Sequence, residues 1–333
     1  MDSLTQIVLG AAVGEAVLGK KLGDKALLYG AIAGTIPDLD SLAPLFTDTL
    51  TAIEIHRGFT HSIVFSIIFA PIFGWLISKI ERKIGISWKA WSWLMFWGFI
   101  THPLLDAHTT WGTQLFWPLD LRLAYKNIFV IDPLYTLPFL VFVILAMRSK
   151  PGSIKRKKYN NLGLIISSAY LLLTIGLKGV TYFKFKDALK EQNISYRQIQ
   201  TRPSPFNTIM WSANVELENA YLLGDYSIFD SKPIKFISIP KNHILVEKFK
   251  FEEDLNRVIA ISQGWYTISK RGDNLYFNDL RFGAYNAEAA DPKFVFSYIL
   301  KEKEGELKVE EVPRNPEDAK RVFKNFSSRV FGN

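Results

Sequence analysis

The sequence predicts a mainly α-helical membrane bundle of about six transmembrane helices, followed by a smaller β-rich soluble domain. Apolar residues are concentrated between residues 4 and 182 of the 333-residue chain. After that point, alternating apolar and polar runs typical of strands appear. We therefore predict a transmembrane helical domain over residues 1–182 and an extracytoplasmic β-rich domain over residues 183–333.

Four apolar segments predict transmembrane helices, because a helix needs about 20 mostly apolar residues to cross the hydrocarbon layer. They cover residues 62–78, 90–105, 128–147 and 162–177. Two earlier segments, residues 4–19 and 26–46, are interrupted by Glu15 and by a proline with two aspartates. These two segments either span the membrane or re-enter it, and their small residues favour close helix packing.

Two acidic residues in the apolar region have predicted structural roles. Glu15 lies within an apolar stretch and therefore needs a partner. Asp132 precedes Pro133, and a helix N-cap is favoured over a ligand role. In the second domain, strands are predicted over residues 234–239, 244–251 and 258–261, and His243 is expected at the surface.

Lysine and arginine residues flank the apolar segments in a regular pattern. They cluster within residues 20–25, 79–89 and 148–158, between alternate pairs of segments. Since cytoplasmic loops carry an excess of these residues, the three loops are predicted to be cytoplasmic. The formal charge of +8 is thereby explained as a topology signal, and no nucleic-acid partner is expected. The predicted location is the plasma membrane, with the lipid bilayer as partner.

Histidines gather near the predicted outer ends of the spans. Four of the five histidines lie there, namely His56, His61, His102 and His108. Ionisable groups at such depth are costly and tend to mark functional sites. His102 and Asp106 are four residues apart, so one helical face would present both to a shared ion. Hydrogen-bonded interfacial histidines are the alternative interpretation.

Any metal would be bound without sulfur, because the chain has no cysteine. Nitrogen and oxygen ligands suit zinc, manganese or iron, and zinc is the default for a divalent ion at a histidine-rich site. Asp38 and Asp40 are candidate ligands or general bases, and Asp2 is a further carboxylate. Arg57 could bind a phosphate or carboxylate with two hydrogen bonds. Its alternative role is an ion pair with an acid such as Glu54 or Asp48.

The motifs MDSLTQ, TIPDLDS, HRGFTHS and THPLLDAHTTWG occur in this order within apolar helices. Together they resemble a family of bacterial and archaeal inner-membrane proteins described as metal-dependent hydrolases, whose enterobacterial members are described as being under LexA control. The resemblance covers roughly residues 1–145 and extends more loosely through RPSPFNTIMW.

The family is similar in turn to the zinc-dependent phospholipase C superfamily, in which a helical core carries a His-x-x-x-Asp pair. Here that pair corresponds to His102 and Asp106. Family members commonly read Met-Asp-x-x-Thr-His at the N-terminus, whereas this chain has Gln6 in place of the histidine. The resemblance therefore implies that one metal is missing or is held through Asp2.

The predicted function is metal-dependent hydrolysis of a phosphoester or lipid-type substrate at the outer membrane face. In this hypothesis the metal ligands are drawn from His56, His61, His102, Asp106, His108 and Asp2, and the catalytic residues are Asp38, Asp40 and Arg57. Two alternatives stay open: a transporter, and an envelope structural or regulatory protein that a metal stabilises. Ligands clustered at one membrane face favour the enzyme over a transporter, whose ionisable groups would be spread through the bilayer.

Overall fold

The computed structural model describes residues 1–285, 287–289, 291–303, 306–315, 317, 326 and 328–332. The chain divides into two compact units. The first comprises Met1–Leu45, Ile55–Gly176 and Pro205–Asn207, and the second comprises Phe46–Glu54, Leu177–Ser204 and Thr208–Asn333. A helical N-terminal half followed by a β-sheet domain confirms that part of the predicted fold class. The predicted boundary at residue 182 falls inside a long helix, and parts of the predicted domain 183–333 lie outside the described residues.

Seven helices make up the N-terminal half. They are α1 (Ser3–Leu22), α2 (Asp24–Thr35), α3 (Thr49–Ile55), α4 (Ile63–Ile80), α5 (Trp88–Asp106), α6 (Pro133–Met147) and α7 (Ile154–Glu191). Three 3₁₀ segments, Ile36–Leu45, Phe59–His61 and Arg82–Ile84, lie between them.

Polar residues begin several of these helices as N-caps. The Ser62 hydroxyl accepts from the amide of Phe65 at the start of α4, and Ser87 acts in the same way at α5. Asp132 accepts from the amides of Leu134 and Tyr135, which confirms its predicted role as a cap. Helix α6 therefore begins at Pro133, five residues after the predicted start at residue 128.

Helices α1 and α2 form a hairpin whose backbones touch. A Cβ atom on Gly14 would lie 2.1 Å from the carbonyl oxygen of Ala26, and one on Gly30 would lie 2.2 Å from that of Gly10. Only glycine permits such an approach, so the predicted role of small residues in packing is realised between these two helices.

Helix α7 is longer than the predicted segment 162–177. It contains 38 residues and includes both the basic run 155–158 and the polar segment 184–191. No proline or glycine cap interrupts the chain between these parts, so one helix continues through all of them.

Two of the described helices are long and apolar enough to cross a membrane, namely Ile63–Ile80 and Ile154–Glu191. The shorter Pro133–Met147 is also apolar. The prediction of about six spans is thus supported for two helices and otherwise stays a prediction.

Glu15 finds its partner in Arg156. The Arg156 guanidinium donates to both carboxylate oxygens of Glu15, at 2.8 and 2.7 Å, and to Asp24 at 2.7 Å. Both Glu15 and Arg156 are buried. The pair links α1, α2 and α7 at the ends where the basic loops lie.

The second unit contains two four-stranded antiparallel sheets. One has the order β1 (Gln198–Pro203), β2 (Met210–Glu216), β3 (Ala220–Ser227), β4 (Phe236–Pro240), and the other has β5 (Tyr266–Arg271), β6 (Asn274–Ala284), β7 (Phe294–Lys303), β8 (Glu306–Glu311).

Two predicted strands of this domain are wrong. Residues 244–251 fall largely in a 3₁₀ segment, His243–Phe249, and residues 258–261 end helix α8, Glu253–Ile261. Helix α8 buries Leu255 and Val258, three residues apart, so its apolar residues follow helical spacing. His243 is half-buried, with its ring stacked on that of Tyr266.

Candidate metal centre

Four side chains from three separate segments meet in the first unit. Asp38 comes from the 3₁₀ segment Ile36–Leu45, His61 ends the 3₁₀ segment Phe59–His61, and His102 and Asp106 come from the last turns of α5. One ligand-type atom from each lies within 4.8 Å of all the others. Helix α5 continues through Pro103, and His102 and Asp106 share one face as their spacing predicts. This group, Asp38, His61, His102 and Asp106, is called the metal cluster below.

The spacing of the metal cluster fits a small cation. The Nε2 atoms of His61 and His102 are 3.1 Å apart. Both lie 3.4 Å from Asp38 Oδ1, and they lie 3.5 and 3.7 Å from Asp106 Oδ2. Tetrahedral zinc with bonds of 2.0–2.1 Å would separate its ligand atoms by about 3.3–3.4 Å. The cluster could therefore hold one metal ion.

The hydrogen bonds of His102 direct its other nitrogen toward the cluster. Its Nδ1 donates to the Gly34 carbonyl at 2.6 Å, so Nε2 carries the lone pair. A metal-binding histidine typically donates its remaining ring N–H to a carbonyl or carboxylate in this way.

Asp40 has the corresponding role for His61. Asp40 Oδ2 lies 3.1 Å from His61 Nδ1 and accepts from the Thr60 hydroxyl at 2.7 Å and from the Arg57 amide at 2.9 Å. Asp40 Oδ1 lies 2.8 Å from His56 Nδ1. Asp40 thus lies behind the cluster, on the far side of the His61 ring. Its carboxylate orients His61, whereas that of Asp38 faces the other ligand atoms.

The charges of these groups favour a cation. Burial alone would raise the pKa of Asp40, but hydrogen bonds with His56 and His61 hold that pKa well below its ordinary value. Burial would lower the pKa of His61, but the neighbouring carboxylates of Asp106, Asp38 and Asp40 raise that pKa to about 10. The carboxylates that keep the imidazole protonated would equally stabilise a divalent ion in place of that proton.

Asp106 is fully buried and has one unsatisfied oxygen. Within the described part of the chain, its Oδ2 accepts no hydrogen bond, although Arg57 Nε lies 3.1 Å away without suitable geometry. Its Oδ1 accepts from Gln6 Nε2 at 2.9 Å and contacts the α-amino group of Met1. A buried carboxylate oxygen without a hydrogen bond is costly, and a metal ion would satisfy it. The residues present therefore fit a bound divalent ion.

Asp38 is the most exposed side chain of the metal cluster. Its side chain is 20% exposed, whereas those of His61, His102 and Asp106 are 0% exposed. A water molecule or substrate would therefore approach from the side of the 3₁₀ segment Ile36–Leu45.

Three other predicted ligands lie outside the cluster. His56 is bound to Asp40, His108 Nδ1 is 2.9 Å from Asn127 Oδ1, and Asp2 caps α1 by accepting from the amide and hydroxyl of Thr5. The cluster instead includes Asp38, which was predicted as a ligand or general base.

Arg57 is buried beside the cluster. Its Nη1 donates to the Thr109 hydroxyl at 2.8 Å, and its backbone has a left-handed φ of 61°, a costly conformation found often at functional sites. The acids suggested as its alternative partners lie in the second unit, where Arg257 pairs with Glu54 at 2.8 Å and with Asp48 at 3.8 Å. Arg57 lies against Asp106 instead.

Several contacting groups have no recognisable signal in the sequence. They are the Gly34 carbonyl, the hydroxyls of Thr60 and Thr109, and the amide of Gln6. In the sequence, Gln6 differs from its neighbours only in replacing a histidine of the family that the chain resembles. Its Oε1 is buried without a hydrogen-bond partner among the described residues, next to a carboxylate of the cluster.

The chain is similar to known inner-membrane proteins. The inner membrane protein YbcI of Escherichia coli (strain K12) is 29% identical over 114 residues, which are 34% of this chain and 64% of that protein. The match thus spans less than two thirds of that relative. No solved structure matches significantly. The family model described as YdjM inner membrane protein matches residues 1–181, more than half of the chain and all of the metal cluster. The chain therefore belongs to the YdjM inner membrane protein family.

Proposed function

We propose that this protein is a membrane-bound metal-dependent hydrolase whose divalent ion, by default zinc, is held by the metal cluster. The observation that carries the proposal is the convergence of four ligand atoms within 4.8 Å of one another, one of which, Asp106 Oδ2, accepts no hydrogen bond from the described residues. Two carboxylates and two imidazoles without sulfur suit zinc, manganese or iron.

A bound ion would supply an acidic water and polarise the scissile bond, the two requirements of hydrolysis at neutral pH. Among the protein's own groups, Asp38 is the partly exposed carboxylate of the cluster and can accept a proton from an incoming nucleophile. Asp40 is occupied by His56 and His61 and positions the latter. Arg57 contributes a buried positive charge next to Asp106, which favours a substrate with an anionic group such as a phosphoester.

The site is proposed to face outward, where lipid headgroups are available as substrates. The basic loops follow the C-terminal ends of α1, α4 and α6. The cluster residues lie near the opposite ends of neighbouring helices, before α4 and in the last turns of α5. With the basic loops cytoplasmic, the cluster and the C-terminal domain would be extracytoplasmic, which supports a multi-pass arrangement in the inner membrane.

A metal-stabilised structural protein is the second candidate, because structural zinc sites use four protein ligands whereas catalytic sites usually use three and a water. Four candidate ligands favour this alternative, and the partial exposure of Asp38 favours the enzyme. A transporter has less support. Glu15, the acid within α1, is already paired with Arg156.

Replacing one ligand distinguishes the two candidates. We expect His102→Ala to lose the bound metal and to lower hydrolysis of a phosphodiester and lipid panel by orders of magnitude, while the protein stays folded in the membrane. His108→Ala is the matched control, since His108 lies at the same end of α5 but outside the cluster. Metal content of the detergent-purified variants is measured together with activity and melting temperature.

If His102→Ala retains its turnover but loses expression and melting temperature, the metal is structural and the enzyme proposal fails. Equal metal content in His102→Ala and His108→Ala would reject the metal cluster itself.

A further inference from the structure

The loop between α5 and α6 has an exposed apolar tip. Residues 116–121 read FWPLDL, and all six are exposed. Leu119 is 64% exposed and Phe116 44%. The loop is closed below them by paired hydrogen bonds between Thr113 and Leu123, both 2.9 Å. Residues 116–121 are called the loop tip below.

The loop tip is attached directly to the segment that carries His61 of the metal cluster. The amide of Gln114 donates to the Arg57 carbonyl at 3.0 Å, and the amide of Ile63 donates to the Leu115 carbonyl at 3.0 Å. Ile63 is the first residue of α4, one of the helices long and apolar enough to cross a membrane. The loop tip therefore lies next to the first residue of this candidate span.

An aromatic series connects the span to the loop tip. The rings of Phe69 and Phe65 in α4 are stacked at 4.6 Å, Phe65 contacts Phe59 at 5.7 Å, and Phe59 contacts Trp117 at 4.9 Å. These ring contacts join the loop tip to α4, whose exposed apolar residues include Ile67 at 57% exposure.

The charges around the loop tip fit a membrane interface. Its one charged residue, Asp120, accepts a hydrogen bond from Gln114 at 3.4 Å within the same loop. Arg122 follows directly, with its guanidinium 3.4 Å from the His56 carbonyl. Apolar side chains flanked by a basic residue are typical of segments that lie in the headgroup region.

We propose that the loop tip inserts its side chains into the lipid leaflet that borders the beginning of α4, and so holds the metal cluster at the level of the lipid headgroups. The backbone of the loop remains at the interface, because an irregular backbone cannot satisfy its hydrogen bonds in hydrocarbon. Trp117 is suited to this boundary, where tryptophan is enriched. Insertion of the loop tip does not depend on hydrolysis.

Depth measurement on single-cysteine variants tests the proposal, and the natural absence of cysteine makes each label unique. Leu119→Cys and Leu121→Cys are labelled with a nitroxide in vesicles of phosphatidylcholine and phosphatidylglycerol. Collision with oxygen, which concentrates in lipid, is compared with collision with a water-soluble nickel chelate. Ile72→Cys on α4 is the lipid reference, and Lys150→Cys, exposed between α6 and α7, is the water reference.

At both loop positions we expect an oxygen-to-nickel ratio several-fold above that of Lys150→Cys and approaching that of Ile72→Cys. A ratio equal to that of Lys150→Cys would place the loop tip in water and overturn the proposal. Low collision rates with both reagents would indicate coverage by protein, including a second copy of this chain, and would also overturn it.

Discussion

His61 is the residue that joins the metal cluster to its support. Its Nε2 faces His102 and Asp106, whereas its Nδ1 lies 3.1 Å from Asp40. Neither nitrogen contacts solvent, because the side chain is fully buried. The orientation of the imidazole, and thus the position of one ligand atom, is set by a carboxylate that does not itself belong to the cluster.

We expect Asp40→Asn to lower the metal affinity by about 10–100-fold, the usual cost of losing a carboxylate behind a metal-bound histidine. The substitution keeps the volume of the side chain but removes the charge that fixes the Nδ1 proton of His61. Competition with a chromogenic chelator measures the affinity, with Asp273→Asn, in an exposed turn of the second unit, as control. If both variants bind metal equally well, Asp40 does not position His61 for binding.

At the scale of elements, the α1–α2 hairpin determines the positions of two groups that contact the metal cluster, the Gly34 carbonyl and the Gln6 side chain. Gly34, whose carbonyl orients His102, ends the close contact between these helices, because a Cβ there would lie 2.5 Å from the Gln6 carbonyl. Gln6 itself donates to Asp106. Any separation of the two helices would therefore move groups that contact the metal cluster.

Gly30→Leu should prevent this hairpin from closing, because even the Cβ atom meets the Gly10 backbone, which cannot move aside. Overpacking commonly costs about 1–3 kcal/mol, and backbone contact places this site at the upper end or above. Gly176→Leu in α7 is the control, since a Cβ there has no neighbour within 4 Å. Thermal unfolding in detergent should show a large loss for Gly30→Leu alone, and equal melting temperatures would contradict the observed packing.

The identity of the partner of Glu15 cannot be predicted from the periodicity of apolar residues. An acid within an apolar stretch indicates that a partner exists, but Arg156 lies 141 residues away in the chain, within a basic run that also serves as a topology signal. Local sequence cannot distinguish the one buried arginine from the neighbouring lysines. Which basic residue pairs with Glu15 is determined by the packing of α7 against α1.

At the scale of the whole molecule, the sequence predicts the helical half, the β-rich half and the types of ligand. It also predicts the His102–Asp106 pair, because that pair depends only on helical spacing. Which of Asp38 and Asp40 enters the cluster depends on the 3₁₀ conformation of their segment. His56 and His108 lie outside the cluster and are hydrogen-bonded to Asp40 and Asn127. Only the folded chain brings these acceptors near the two histidines.

The basic loops and the cluster residues lie at opposite ends of the helices. The predicted topology, with the basic loops in the cytoplasm, can therefore be tested. Thr47→Cys, before α3, and Lys235→Cys, before β4, should react with an impermeant thiol reagent in intact cells, because both follow segments predicted to end outside. Lys83→Cys and Lys157→Cys, in two of the predicted cytoplasmic basic segments, should react only after the membrane is permeabilised. All four positions are exposed, and the chain has no competing cysteine. If only Lys83→Cys and Lys157→Cys were labelled in intact cells, the topology would be the inverse of the predicted one. The metal cluster would then lie on the cytoplasmic side, where an outer-leaflet lipid could not be its substrate.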